Sequence, residues 1–98
     1  MAKFSDMIQS EQPVLIDFSA VWCGPCKAMS PILQEVKSKV GNKVVIYKID
    51  IDKNPGLAQE YRIQGVPTLV LFKQGKEVWR MSGVMPAFKL VTVLQGFY

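Results

Sequence analysis

Residues 14–27 read Val14-Leu15-Ile16-Asp17-Phe18-Ser19-Ala20-Val21-Trp22-Cys23-Gly24-Pro25-Cys26-Lys27, and this stretch decides the architecture. Its first five residues form a continuous apolar run broken by one acid, the pattern of a central strand covered on both faces. Two cysteines follow, separated by a glycine and a proline. From Pro25 onward Met29, Ile32, Leu33, Val36 and Val40 recur at helical spacing, with Lys27, Gln34, Lys37 and Ser38 on the other side. That spacing predicts an amphipathic helix ending near Gly41 and bending at Pro31, which has no N–H to offer the carbonyl of Lys27.

Working outward, Lys43 to Ile49 is a second β-rich run, and a right-handed crossover makes it parallel to the first. Asn54-Pro55 reads as an N-cap followed by proline at the first helical position, opening a helix of about two turns to Tyr61. The Asp50-Ile51-Asp52-Lys53-Asn54 segment is no calcium loop, because proline stands where that loop needs glycine and tyrosine where it needs its last glutamate. It reads as strand end plus cap. Pro67 to Phe72 and Lys76 to Met81 are two strands around Gln74-Gly75, a tight antiparallel hairpin in which glycine supplies the positive φ. A last helix begins after Pro86, and Phe4, Met7 and Ile8 place a short helix at residues 3–10. The sum is an α/β domain with a mixed four-stranded sheet and helices on both faces, in the order α, βαβ, α, ββ, α. Sites in such sheets gather outside the carboxyl ends of the central strands, where the cysteines lie.

The 98 residues fit one domain, spanning 1–98, and 49% hydrophobic residues suffice for a packed core. Zero histidines and two cysteines exclude a Cys-His or Ser-His nucleophile pair and any His-ligated metal. Two thiolates alone fall short of a structural zinc site. The net charge of +4 is spread over every segment without a basic run, which argues against nucleic acid. The longest apolar stretch is only a strand's length, so no membrane span is expected, and the N-terminal MAKFSDMIQSEQP lacks the apolar middle of a signal peptide, which points to the cytoplasm.

Cys23 falls at a helix N-terminus, where unpaired N–H groups and the helix dipole favour a thiolate, so it is the expected nucleophile. Cys26, about one turn further in, can close a short disulfide yet is less accessible, which suits a resolving thiol. Gly24 permits close approach and Pro25 fixes φ at the helix start. Other readings stand beside this one. The cysteines could be inert, form half of an intermolecular zinc site, or pass a metal such as Cu(I), and the same fold could serve as an oxidant, an isomerase or a binding module without turnover.

With these residues in view, the sequence resembles the thioredoxin family. The resemblance is carried by residues 14–18, the WCGPCK motif at 22–27, Pro31-Ile32-Leu33, Lys48 to Asp52, Asn54-Pro55-Gly56, Gly65-Val66-Pro67-Thr68, Phe72 to Gly75 and Gly83. It implies a thioredoxin fold and a dithiol-disulfide oxidoreductase that reduces protein disulfides and is recharged by a thioredoxin reductase, a monomer with no cofactor beyond its Cys23-Cys26 pair. It assigns Asp17 as the buried acid that takes the proton of the resolving thiol, and Lys48 as the lysine paired with that acid. An aspartate inside an apolar strand has its pKa raised toward the working range, which fits this role. It implies a cis Pro67 facing the disulfide, with Val66 offering backbone groups to an extended substrate. Trp22, Gly65, Val66, Pro67 and Gly83 would complete the docking surface. The Gly24-Pro25 pair is similar to that of reductases rather than oxidants.

Three departures stand out. No counterpart of the family's leading β-strand precedes the first helix in this sequence, so a four-stranded sheet with one less protected edge is expected. Ser19 replaces a common aromatic and Val21 a more polar residue beside the cysteines. Met85-Pro86 opens the last helix where the family often has a hydroxyl cap. Stability and partner choice are the properties these changes affect.

Overall fold

The computed structural model describes residues 3–98. Its elements are α1 (Phe4–Met7), β1 (Val14–Ser19), α2 (Gly24–Val40), a single 3-10 turn at Gly41–Lys43, β2 (Val45–Asp50), α3 (Pro55–Glu60), β3 (Thr68–Lys73), β4 (Lys76–Ser82) and α4 (Ala87–Gln95). Every residue of β1 is buried, as a strand covered on both faces requires. The sheet order is β2-β1-β3-β4, with β1 parallel to β2 and antiparallel to β3, and β3 antiparallel to β4. The mixed four-stranded sheet expected from the sequence is the one observed.

Alternation along β1 divides the core into two layers. Leu15 faces α2 and α4, where Met29, Leu33, Val36, Leu90 and Leu94 close the larger cluster. Ile16 and Phe18 face the opposite way and join Ile8, Val70 and Phe72, with Phe4, Leu57 and Tyr61 packed against them. Four aromatic rings meet in that second layer, and the Phe4–Phe72 and Tyr61–Phe72 pairs stand edge to face at 5.7 and 5.4 Å. Leu90 is fully buried in the first layer. Leu90→Ala is expected to lower stability by about 2–5 kcal/mol, because the sheet and α2 hold the vacated space open. Urea unfolding of the two proteins checks this, and a loss under about 1 kcal/mol would mean that α4 contributes little to the core.

The structure differs from the sequence reading at several boundaries, each for a local reason. α1 stops at Met7, because the next carbonyls serve the hairpin instead: Gly75 N donates to Ile8 O at 3.0 Å and Gln74 N to Ser10 O at 2.9 Å. That hairpin turn has positive φ at both Gln74 (53°) and Gly75 (82°), so glycine is not alone in the left-handed region. Asn54 occupies the cap position of α3, yet its side chain does not cap. Its Nδ2 donates to the Asp50 carbonyl at 3.0 Å, while Asp50 Oδ1 accepts the amides of Asp52 and Lys53 and makes the turn. α2 continues without a break through Pro31, which lies on its exposed side. No helix among the described residues is long and apolar enough to cross a membrane.

Candidate active site

The end of β1 delivers the chain to a turn in which Cys23 N donates to Ala20 O at 3.2 Å, and α2 starts at once. Cys23 is the N-cap residue. Its Sγ accepts the Cys26 amide at 3.1 Å, one of the orphan donors of the first helical turn, so the helix end is built to favour negative charge on that sulfur. Cys23 and Cys26 are joined in a disulfide with Cα atoms 5.2 Å apart. Cys23 is 5% exposed and Cys26 2%, so both are largely covered and Cys23 is the more open of the two.

Exposed apolar residues flank the pair. Val21 is 73% and Trp22 66% exposed, and the Trp22 indole Nε1 donates to Asp52 Oδ2 at 2.8 Å. Asp52 is a site neighbour that reading the segment as strand end plus cap missed. The clue was its position, just past the carboxyl end of a strand parallel to β1. From the opposite side the Val66–Pro67 bond is cis, as the resemblance implied, and the Val66 carbonyl oxygen is 3.6 Å from Cys23 Sγ. Thr68 Oγ1 donates to Gly65 O at 2.6 Å and lies 2.9 Å from Ser82 Oγ, which ties this loop to β4.

The three site glycines differ. Gly83 has φ of 98°, and its amide donates to Pro67 O at 2.8 Å, so its left-handed backbone holds the proline segment in place. A Cβ at Gly24 or Gly65 would meet nothing within 4 Å. The close approach expected at Gly24 is therefore not made within the chain; its open side faces solvent. Pro25, also exposed, falls inside the first turn of α2, where a missing N–H costs nothing.

Asp17 projects from β1 on the same side as Leu15, toward α2. It is fully buried, and neither carboxylate oxygen has a hydrogen-bond partner. Burial raises its pKa from 3.8 to about 6, and the Lys48 charge pulls it part of the way back down. Lys48 stands opposite Asp17 in the β1–β2 register, yet the direct pairing implied by the resemblance is absent. Its exposed ammonium donates instead to Ser30 Oγ at 2.8 Å, since remaining near solvent avoids the cost of burying the charge. Ser30 was also missed, although it follows Cys26 by four residues and so shares its helix face. Ser19, Val21, Cys26, Lys27, Ser30 and Lys48 line an open cavity of about 390 Å³ beside the disulfide.

The arrangement joins a sulfur at a helix end, a second cysteine positioned to displace it, and a buried carboxyl able to exchange a proton near neutral pH. That is the equipment for thiol-disulfide exchange. A family model described as Thioredoxin matches residues 1–96. The chain is 52% identical over 97 residues to the "Thioredoxin-like protein slr0233" of Synechocystis sp., covering 98% of this chain and 92% of that protein. It is 42% identical to the "Thioredoxin" of Alicyclobacillus acidocaldarius, over 91% of this chain and 85% of that one. It is also 44% identical to part of the "Bifunctional thioredoxin reductase/thioredoxin" of Mycobacterium leprae, over 82% of this chain and 18% of that one. With its disulfide-forming CxxC pair at the head of α2, the chain belongs to the thioredoxin family and is a thiol-disulfide oxidoreductase of the thioredoxin type.

Proposed function

We propose that Cys23 attacks target disulfides, that Cys26 resolves the intermediate, and that Asp17 accepts the proton of Cys26. The Cys23 thiolate bonds to one target sulfur and breaks the target disulfide, which releases the other sulfur as a thiolate. Cys26 then gives its proton to Asp17 and attacks Cys23. The second target thiol leaves, two electrons have passed to the target, and Cys23 and Cys26 are joined. The observation that carries this reading is the Cys26 amide on Cys23 Sγ at 3.1 Å, which marks Cys23 as the sulfur best able to bear charge.

Trp22, Gly65, Val66, Pro67 and Gly83 form the docking surface, with the Val66 carbonyl beside the reacting sulfur supporting pairing with an extended target segment. The cysteine pair is itself the redox centre and calls for no added cofactor. A thioredoxin reductase recharges it; the joining of both activities in one M. leprae chain supports such a partnership. We place the protein in the cytoplasm as a monomer, where a lone cysteine pair serves catalysis rather than stapling. Subcellular fractionation and sedimentation test those two assignments.

The direct test is the dithiol-disulfide equilibrium in defined redox buffers, read by thiol trapping. A reversible two-electron transition at or below the cytosolic glutathione poise is expected. A transition well above it would make the protein an oxidant or isomerase, and no reversible transition would leave a binding module.

A further inference from the structure

Lys48 has two possible anchors within reach of its place on β2. One is Asp17, directly across the strand pairing, fully buried and with both oxygens unpartnered. The other is the Ser30 hydroxyl on α2, and this one is taken, at 2.8 Å. The open cavity beside the disulfide is lined by both Ser30 and Lys48, which gives the ammonium room to move. The remaining charged groups on its walls are Lys27 from α2 and Asp50 from β2. On the β3 side Asp17 is opposite Leu69, which carries no charge.

We propose that Ser30 is a positioning residue that parks the Lys48 ammonium on the helix side of this cavity and leaves Asp17 without a direct counter-ion. A hydroxyl holds the lysine by one charge-assisted hydrogen bond and adds no charge of its own. With the hydroxyl gone, the unpartnered carboxylate directly across the strand pairing is the group left to take the ammonium, since Asp50 Oδ1 already accepts the amides of Asp52 and Lys53. An opposite charge in direct contact strongly favours the ionised acid. Ser30 thereby sets how readily Asp17 holds a proton. The consequence for catalysis rests on the reading that Asp17 accepts the proton of Cys26; the placement of Lys48 does not.

The test follows the Asp17 carboxyl by ¹³C NMR in the oxidised protein, where neither cysteine titrates and no histidine shares the pH window. Ser30→Ala is expected to lower the Asp17 midpoint by about one pH unit. Ser30→Thr, which keeps the hydroxyl, is expected to stay near the parent. In a Lys48→Met background, Ser30→Ala is expected to change nothing, because no ammonium remains to be released. An unmoved midpoint in Ser30→Ala, an equal drop in Ser30→Thr, or the same drop without Lys48 would each overturn the proposal. The pH profile for release of a trapped mixed disulfide separates the two readings. If the carboxyl midpoint moves while that profile does not, the positioning role stands and the assignment of Asp17 as proton acceptor falls.

Discussion

Cys23→Ser is expected to reduce turnover on a protein disulfide by about 1,000-fold or more, to the uncatalysed background, since the serine hydroxyl stays protonated and cannot displace a sulfur. Cys26→Ser should behave differently. It keeps the attacking sulfur at the head of α2 and loses the group that completes the exchange, so one target stays bound through Cys23. A turnover assay with a reducing partner, together with mass spectrometry under non-reducing conditions, reads both outcomes. Target trapped through Cys26 in Cys23→Ser, with none trapped in Cys26→Ser, would show Cys26 to be the attacking thiol, despite the amide aimed at Cys23 Sγ. The two variants also separate catalysis from mere binding, because a docking module would lose nothing in either.

Asp17→Asn is expected to make the protein more stable at pH 8, by about 3 kcal/mol, and to gain less than about 1 kcal/mol at pH 4. The folded carboxyl has a pKa of about 6 against 3.8 for the ordinary side chain. Below 3.8 both states are protonated and burial carries no electrostatic cost. Between 3.8 and about 6 the unfolded chain ionises first, so stability falls as pH rises, and above about 6 the full loss is in place. At 1.36 kcal/mol per pH unit the difference amounts to about 3 kcal/mol. Urea unfolding at the two pH values measures it. A gain of the same size at pH 4 would show that the carboxyl is costly for its shape or polarity and not for its charge. On the proposed role of Asp17 as proton acceptor, the asparagine variant should also release mixed disulfides about 100-fold more slowly or worse. If Asp17 accepts the proton of Cys26 as proposed, this residue trades stability for chemistry.

Much of this was legible because it depends on patterns that tertiary context reinforces. The run from Val14 to Phe18 reads most readily as a central strand, and the helical spacing after Cys26 with the hairpin at Gln74-Gly75 then pointed to a mixed four-stranded sheet, which is the one observed. The cysteines declared themselves by their place between strand and helix. What stayed hidden were choices between competing partners. Lys48 could reach a carboxylate or a hydroxyl, and the balance of desolvation against attraction is settled in space, not in sequence. Asn54 could cap α3 with its own side chain or brace the Asp50 carbonyl, and Asp50 had already made the turn. The carbonyls of Ile8 and Ser10 could extend α1 or meet the hairpin, and the hairpin lies more than 60 residues away in sequence. The bond from Trp22 to Asp52 likewise joins segments 30 residues apart. The cis bond before Pro67 could be expected only from the family resemblance.

The pairing of β1 with β2, which sets Asp17 across from Lys48, also limits how a gene for this protein can drift in length. A single-codon insertion or deletion inside either strand would turn every following side chain to the opposite face of the sheet. The lysine would then point away from α2, or the acid into the aromatic layer. Gly41–Lys43, an exposed turn joining α2 to β2, carries no such register constraint, so a change of length is expected to be tolerated there and not inside β1 or β2.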